Sequence, residues 1–514
     1  MKKSKAYNVL LSTLTGLSNS IILLILNLIS RNLFLQYIGI EYLSVAQVIN
    51  DLLTVIAFSE LGVTNAVLYM LYTPVATNNR DKVIKILYLY RNFNRYVGIC
   101  IAIIGLLAMP TLSLFIRTDV PYSTVQLIYL MNLFTSVSSY FYTYRSIMLS
   151  VNQKDYIASI ISSGCSVIRI IIQCIIIYYT HNYILFLLTS IIATVLQNII
   201  IYYKVGKIYP YICNLSKLNK NIEFSQEKKD LKSNILSMAF VKITGIAIHN
   251  TDTIIISSIN TIMVGICANY TIISNYLRSL INIFQNALVH SIGISVVERN
   301  KEKRYELFQQ IYLINIFISG FIFICLANLW NDFIVLWIGD KYLLDKMIFI
   351  ALLINVSWNL MIATVWMFRD TLGLFKNVKC MLLLNTIIKI ILSIVLGYYF
   401  GVAGVFIATV ISDIFTDFWY DSNLVFKRVF GKNNAIEYQL SVLINMLSVG
   451  ALSYLLIFFM SNWNITIYNW LLKLFIVIAV YIIFFILRFG KTKAFRMLYT
   501  NYIQIALNKF IKRG

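Results

Sequence analysis

Long apolar runs are the feature that most constrains this chain. About fourteen stretches of roughly 20 mainly apolar residues follow one another, separated by short polar connections. A helix of about 20 residues crosses a bilayer core and satisfies its backbone hydrogen bonds internally. Because 59% of the 514 residues are hydrophobic and only 12% are charged, no sizeable soluble domain remains. The sequence therefore predicts an all-α integral membrane protein with about fourteen transmembrane helices.

Two stretches of the chain are similar to each other. They are "YRSIMLSVNQKDY", from Tyr144, and "FRDTLGLFKNVKC", from Phe368, and both fall at the inner end of the fourth span in a set of six. The connections "RNLFLQYIGIEYLSV" and "DTIIISSINTIMVGI" match in the same register, with Asp252 near the place of Arg31. We therefore expect two six-helix lobes related by an internal repeat, followed by two C-terminal helices.

The predicted domains follow from this division. Residues 1–210 form an N-lobe, 211–232 a cytoplasmic linker, 233–430 a C-lobe, and 431–514 the last two spans with a basic cytoplasmic tail. Transporters built from parallel repeats bind their substrate between the two halves. The predicted spans begin near Val9, Tyr42, Tyr96, Ser123, Tyr156, Tyr183, Ser233, Ile262, Tyr305, Asp345, Cys380, Gly401, Glu437 and Ile465.

The positive charge follows the predicted topology. Most of the 43 lysines and arginines fall in alternate connections, together with the N-terminal "MKKSK" and the C-terminal tail. Positive residues concentrate on the cytoplasmic side of membrane proteins, so both termini are expected in the cytoplasm of a multi-pass plasma-membrane protein. The net charge of +22 needs no nucleic-acid partner to explain it.

The seven cysteines are scattered, mostly within apolar runs, and show no CxxC spacing. We interpret them as packing residues and predict neither a metal site nor a cofactor. The apolar run near Val9 is as long as a full span and lacks a small-x-small cleavage site, so it is expected to be a retained first helix.

The stretch "SELGVTNAVLYMLYTPVATNNRDKVIKILYLYRNFNRYVG" resembles the second-span signature of the bacterial polysaccharide repeat-unit flippases. Later segments follow in the same order: "YRSIMLSVNQKDYI", "NTDTIIISSINTIMVGICANY", "WIGDKYLL" and "FRDTLGLFKNVKCMLLLNTIIKIILSIVLGYYFGVAGVFIATVIS". That family belongs to the superfamily of multidrug, oligosaccharidyl-lipid and polysaccharide exporters. The resemblance implies two six-helix lobes around a central cavity and export of an undecaprenyl-pyrophosphate-linked oligosaccharide.

Ionisable residues inside the spans are the candidate site residues, because charge within a membrane is costly. A flippase has to present cations to a diphosphate headgroup, which Lys and Arg can do. The candidate substrate-binding residues are Arg278, Lys242, Arg169 and Arg31. The alternative is that Lys242 or Arg278 pairs with Asp252 and only joins two helices.

Carboxylates within the spans are candidates for coupling transport to an ion. Asp252 and Glu60 are the predicted coupling residues, and Asp51 shares the second span with Glu60. Glu60 also lies close enough to the inner surface to serve as a packing or loop-anchoring group. Three further carboxylates, Asp413, Asp417 and Asp421, follow one face of the twelfth span, where Lys389 is expected to pair with the first of them.

The repeated arginines, Arg145 and Arg369, stand at inner helix ends. There an arginine can bond terminal carbonyls and oppose the negative end of the helix dipole. We interpret both as structural or hinge residues first, with phospholipid contact as the second interpretation.

Three functions remain at this point. The leading one is a lipid-linked oligosaccharide flippase working by alternating access in cell-surface polysaccharide synthesis, with membrane lipids and glycan polymerase machinery as further partners. The second is a multidrug or metabolite exporter on the same fold. The third is a membrane polysaccharide polymerase or ligase, which the short external connections and the lack of a nucleophile-and-base or metal constellation argue against. We therefore predict a transporter and not an enzyme.

Overall fold

The computed structural model describes residues 2–57, 63–217, 250–295, 301–431 and 435–498. Within these ranges the chain is helical and contains no strand. Eight helical segments are long and apolar enough to cross a membrane, and a pair joined by a 40° bend, Lys346–Met361 with Ala363–Thr371, is a ninth candidate. The predicted all-α multi-pass membrane fold is confirmed. Of the predicted span starts, Ser233 lies outside the described residues.

The chain divides into two compact units. The first comprises Met1–Ala268 and Asn275–Leu280, and the second comprises Asn269–Ser274 and Ile281–Gly514. The predicted linker lies mostly outside the described residues, so the proposed lobe boundaries stay a prediction. The first unit contains α1 (Lys2–Tyr37), α2 (Ile40–Ile56), α3 (Val63–Ala76), α4 (Arg80–Ala108), α5 (Leu112–Phe115), α6 (Tyr122–Tyr142), α7 (Ile147–Val151), α8 (Asp155–Thr180), α9 (Tyr183–Ile208) and α10 (250–259).

The next helix contributes to both units, and the rest belong to the second. They are α11 (Thr261–Ser295), α12 (Lys301–Ile338), α13 (Lys346–Met361), α14 (Ala363–Thr371), α15 (Phe375–Asp413), α16 (Trp419–Val425), α17 (Ile436–Met460), α18 (Ile467–Phe489) and α19 (Lys493–Leu498). Two π-helical turns, Ile414–Phe418 and Phe426–Phe430, flank α16. Within the described residues, the long helices lie where the sequence predicts spans.

The segment from α15 to α16 folds back on itself as a hairpin. Its backbone reverses at Gly401, which has φ 59° and ψ −143°, a conformation open essentially only to glycine. Across this turn the Asn385 side chain reaches Asp413 and Asp417, and the Tyr420 hydroxyl donates to the Asn377 carbonyl. One continuous apolar segment thus supplies two antiparallel spans, as the separate predicted starts at Cys380 and Gly401 require.

Large apolar side chains cover the outer faces of the helices. Ile25 on α1, Phe459 on α17 and Leu487 on α18 are 54%, 74% and 77% exposed. Such exposure is costly in water and is expected for a surface that faces lipid hydrocarbon. Inside the second unit, by contrast, aromatic rings pack edge to face around Phe308, whose ring centroid lies 5.3 Å from that of Phe368. This packing fixes α14, and with it Arg369, in the interior.

The two similar sequence segments end a helix in the same way. In the first unit the Lys154 amide donates to the Leu149 carbonyl, and Gln153 has φ 56°. In the second unit the Leu374 amide donates to the Arg369 carbonyl, and Gly373 has φ 69°. Both are Schellman caps, which place one left-handed residue after the helix. The repeated sequence therefore encodes a repeated helix stop.

The left-handed residue of the cap is Gln153 in the first unit and Gly373 in the second. This difference leads to a prediction. A left-handed conformation costs a non-glycine residue about 1 kcal/mol or more. We expect Gln153→Gly to raise the free energy of unfolding by about 1 kcal/mol and Gly373→Gln to lower it by a similar amount. Thermal unfolding in detergent measures both variants. Shifts of the same sign in the two variants would contradict the shared cap.

Candidate functional site

The first two site residues lie on helices that pack side by side. Helix α1 packs along α8 in the same direction, because the Cys174 thiol hydrogen-bonds Ser30 and the His181 ring lies 4.7 Å from that of Tyr37. In this register Arg169 lies level with residue 25 of α1. At 1.5 Å per residue, Arg31 is about 9 Å further along the same interface. The two arginines are therefore stacked along the helix axes.

A hydrogen-bonded pair lies between these two levels. Asn27, one turn before Arg31 on α1, donates to the Tyr276 hydroxyl of α11 at 2.8 Å. The same hydroxyl is the electrostatic neighbour of the Arg169 guanidinium. The Arg169 Nε atom is buried and has no hydrogen-bond partner within the described part of the chain. Helices α1, α8 and α11 thus meet around Arg169, whose buried Nε donor has no acceptor among the described residues.

Arg31 is in a similar position nearer the C-terminal end of α1. Its Nη1 atom is buried and also lacks a hydrogen-bond partner among the residues that the structure describes. Its electrostatic neighbour is the Tyr183 hydroxyl, whose ring packs against Phe34 and Phe186. We call Arg31, Arg169, Asn27, Tyr276 and Tyr183 the arginine site.

The arginine site is chemically suited to an anion. A guanidinium carries five N–H donors and stays charged, so each donor that is buried without a partner costs free energy. A phosphate or diphosphate group supplies acceptors for several of these donors at once. An anionic ligand would therefore supply the hydrogen-bond acceptors that these buried donors lack among the described residues.

Arg278 stands apart from this site. It lies on α11 two residues after Tyr276, so its side chain leaves the helix about 200° away from that of Tyr276. The Arg278 side chain is partly buried, and the structure gives it no hydrogen-bond or ion-pair partner among the described residues. Its predicted role in substrate binding stays a prediction.

The other predicted site residues of the first half are only partly visible. Lys242 and Glu60 lie outside the described residues. Asp252 is half-buried on α10, and the side chain of its neighbour Thr253 hydrogen-bonds Asp51 of α2. Asp51 also accepts a hydrogen bond from Gln47 at 3.1 Å. The structure therefore joins α2 and α10 through a carboxylate beside the predicted coupling residue.

Arg145 is buried at the end of the turn Thr143–Arg145, which follows α6. Its guanidinium carbon stacks 3.6 Å from the centre of the Tyr202 ring, and Nη1 donates to the Tyr202 carbonyl at 3.4 Å. Gly206 permits this approach, because a Cβ atom there would stand 2.7 Å from Nη1. Arg145 thus joins the break between α6 and α7 to α9, mainly through neutral partners.

Arg369 has charged partners instead. Its Nη1 donates to Asp421 at 2.5 Å and its Nε donates to Asp370 at 2.7 Å. Asp421 is 1% exposed, whereas the Asp370 side chain is 58% exposed and faces solvent. The equivalent arginines of the two sequence repeats therefore have different environments, one aromatic and one ionic.

Three members of the arginine site were missed by the sequence analysis, and Tyr183 was named there only as the start of a span. Asn27 and Tyr276 carry no charge, so the search for ionisable residues passed over them. Asn27 stands four residues before Arg31, one helical turn away, and that spacing could have indicated it. Nothing local to Tyr276 indicates its contact with α1.

Comparisons with known proteins show the fold. No family model matches the chain, and no curated protein matches its sequence. Among solved structures it is similar to the lipid II flippase MurJ in an inward closed conformation, with TM-score 0.63, 15% identity, and 92% of this chain and 98% of that chain covered. An inward-facing multidrug resistance MATE family transporter of the MOP superfamily gives TM-score 0.58 and 13% identity, over 86% of this chain and 99% of that chain.

A third similar structure is a mutant of the Vibrio cholerae MATE transporter VcmN, with TM-score 0.57 and 13% identity, covering 84% of this chain and 99% of that chain. The three structures belong to lipid-flippase and drug-transporter branches of one architecture. At these identities they establish that this chain has the fold of those transporters. The expected superfamily fold is confirmed, and the repeat-unit flippase branch is treated below.

Proposed function

We propose that this protein flips undecaprenyl-pyrophosphate-linked oligosaccharide units from the cytoplasmic to the outer leaflet of the plasma membrane, for cell-surface polysaccharide synthesis. The observation that carries the proposal is the pair of partly buried arginines, Arg31 and Arg169, each with one buried donor atom that has no partner among the described residues. The fold shared with MurJ and the sequence resemblance to repeat-unit flippases support it.

The stacking of the arginines suggests how the headgroup moves. With Arg169 and Arg31 about 9 Å apart along the helix axes, a diphosphate can pass from one guanidinium to the next without losing all of its charge-assisted hydrogen bonds. Asn27 and Tyr276 hold α1 and α11 together beside this path. The polyprenyl chain stays in lipid, against the exposed apolar helix faces, while the lobes alternate between inward and outward openings.

A multidrug exporter is the second candidate, because the same fold occurs in MATE transporters. The arginine site argues against cationic drugs, since a buried positive site repels them. We also propose that the chain is a transporter and not an enzyme such as a polymerase or ligase. We propose that both termini lie in the cytoplasm, as the distribution of basic residues indicates, and we propose no nucleic-acid partner.

Ion coupling is part of this proposal. Moving an anionic headgroup outward needs compensating charge or an ion gradient. Asp252 and Glu60 stay the coupling candidates named from the sequence, and Arg278 and Lys242 remain further candidate headgroup contacts. Glycan polymerase machinery is the expected partner on the outer side.

A binding experiment tests the proposed substrate class. Native mass spectrometry of the purified protein is expected to show binding of undecaprenyl pyrophosphate. The Arg31→Gln, Arg169→Gln double variant should bind it about tenfold or more weakly, since one charge-assisted hydrogen bond is worth roughly 1.5–3 kcal/mol. The exposed Arg117 supplies the control variant Arg117→Gln, which should bind normally. Binding of a lipophilic cation with no binding of undecaprenyl pyrophosphate would favour the drug exporter.

A further inference from the structure

Around the hairpin of α15 and α16, buried carboxylates outnumber buried cations among the described residues. Asp413, Asp417 and Asp421 are 4%, 3% and 1% exposed, whereas the buried cations beside them are Arg369 and Lys389, at 9% and 1%. Around the hairpin, three buried carboxylates therefore share the space with two buried cations among the described residues, and the buried Lys473 of the same unit pairs with Asp332 instead. A buried ionised group without compensation is costly, and one additional positive charge is needed to balance the group.

Helix geometry brings the three carboxylates to one face. Residues four apart on an α-helix drift forward by about 40° at each step. The π-helical turn Ile414–Phe418, with its wider i→i+5 hydrogen bonding, offsets part of this drift. Asn385, across the hairpin, donates from Nδ2 to Asp413 at 2.9 Å and to Asp417 at 2.8 Å. The carboxylates are consequently close enough to respond to one another's charge.

The three carboxylates are not equally compensated. Asp421 accepts a 2.5 Å bond from the Arg369 guanidinium on one oxygen, while its Oδ1 atom is buried with no hydrogen-bond partner among the described residues. Asp417 accepts from the neutral amide of Asn385, and its Oδ1 atom is buried with no hydrogen-bond partner among the residues described. The Oδ1 atom of Asn385, itself 1% exposed, is likewise buried without a partner there. Asp421 thus bonds a cation directly, whereas the hydrogen bond that Asp417 accepts comes from a neutral amide, so the charge of Asp417 is less directly compensated than that of Asp421.

We propose that Asp417 binds a proton in the interior of the second unit, and that this proton, in place of an ion at Asp252 or Glu60, is the coupling ion of the transport cycle, a role that rests on the function proposed above. The proton comes from water on one side of the membrane, forms an O–H bond on the Asp417 carboxylate, and leaves to water on the other side. Binding it neutralises the excess negative charge. Releasing it restores a buried anion and favours a rearrangement that hydrates the hairpin.

Asn385 bonds Asp417, and Arg369 and Asp421 interact with it through their charge. The elements packed around it carry further polar and titratable groups. Its own face of the helix carries two further carboxylates, α15 supplies a cation and an amide, α14 supplies a guanidinium with its exposed carboxylate, and α17 contributes a buried phenol. These are Asp413, Asp421, Lys389, Asn385, Arg369, Asp370 and Tyr438. A metal ion is the other way to supply positive charge, but no cluster of three or more His, Cys, Asp or Glu suited to a metal occurs within the residues described.

Infrared difference spectroscopy on the purified full-length protein tests the site without any substrate. We expect a carboxylic-acid C=O band at neutral pH that Asp417→Asn removes. The same band should remain in Asp252→Asn and in Asp340→Asn, whose carboxylate is exposed. A wild-type spectrum without this band, or a band that persists in Asp417→Asn, would overturn the proton site. Failure of the substrate proposal would leave this result unchanged.

The coupling role is tested in proteoliposomes that contain undecaprenyl-pyrophosphate-linked oligosaccharide. Wild-type protein is expected to flip this lipid faster when a pH gradient is imposed, and Asp417→Asn is expected to flip it at a rate that does not depend on the gradient. Asp340→Asn should respond as wild type does. An Asp417→Asn protein that keeps the full response to the gradient would show that Asp417 does not couple protons to transport.

Discussion

Replacing Arg169 by glutamine is expected to reduce glycan export about tenfold or more while the amount of folded protein stays the same or rises. The loss follows because one charge-assisted hydrogen bond to a phosphate is worth roughly 1.5–3 kcal/mol, and about 1.4 kcal/mol is tenfold. Stability should not fall, because Arg169 Nε is buried without a hydrogen-bond partner in the described structure, and glutamine removes a costly buried charge. Surface glycan and protein abundance are measured in the same cells.

Two variants control this experiment. Arg169→Lys restores the charge without the planar donor fork, so it should recover export in part. Arg117→Gln removes an exposed arginine from the same unit and should export normally. If Arg169→Gln instead lowers protein abundance and exports normally per folded molecule, Arg169 has a structural role and the arginine site is wrong.

Replacing Arg369 by glutamine is expected to destabilise the protein by about 3–5 kcal/mol, the cost of leaving one partner of a buried ion pair uncompensated. The partner is Asp421, which is 1% exposed and bonds Arg369 at 2.5 Å. Thermal unfolding in detergent measures the effect, and the amount of protein inserted in the membrane should fall with it.

A double variant separates charge from packing. Arg369→Gln combined with Asp421→Asn removes both charges and should recover most of the lost stability. Arg145→Gln offers the matched comparison in the first unit, and it should cost less because the partners of Arg145 are a ring and a carbonyl. Equal losses in the single and double variants would contradict the ion-pair account of Arg369.

Much of the fold could be predicted from hydrophobic length and from breaks in it. Gly401 shows why: the apolar run is too long for one span, and a glycine at its middle permits the reversal. The repeated segments also predicted a repeated local structure, which appears as the two caps at Gln153 and Gly373. Such features depend on residues close together in the chain, so a single sequence contains them.

The arrangement of the site was harder to predict from the sequence. The contact between Asn27 and Tyr276 joins residues 249 positions apart, and nothing near either one indicates the other. The same limit applies to Arg145 and Arg369. Their sequence contexts are similar, yet the partners that distinguish them, Tyr202 and Asp421, come from distant helices. The intramembrane charges could be identified, but their partners depend on how the helices pack.

Reconstituted flipping is the measurement that tests the central claim most directly. Purified protein is placed in liposomes with undecaprenyl-pyrophosphate-linked oligosaccharide in the inner leaflet, and a membrane-impermeant glycosidase outside detects each glycan that crosses. We predict rapid exposure of the glycan with wild-type protein and with Arg117→Gln, and little exposure with the Arg31→Gln, Arg169→Gln double variant. Wild-type liposomes that expose no more glycan than protein-free liposomes, or a folded double variant as active as wild type, would contradict the account.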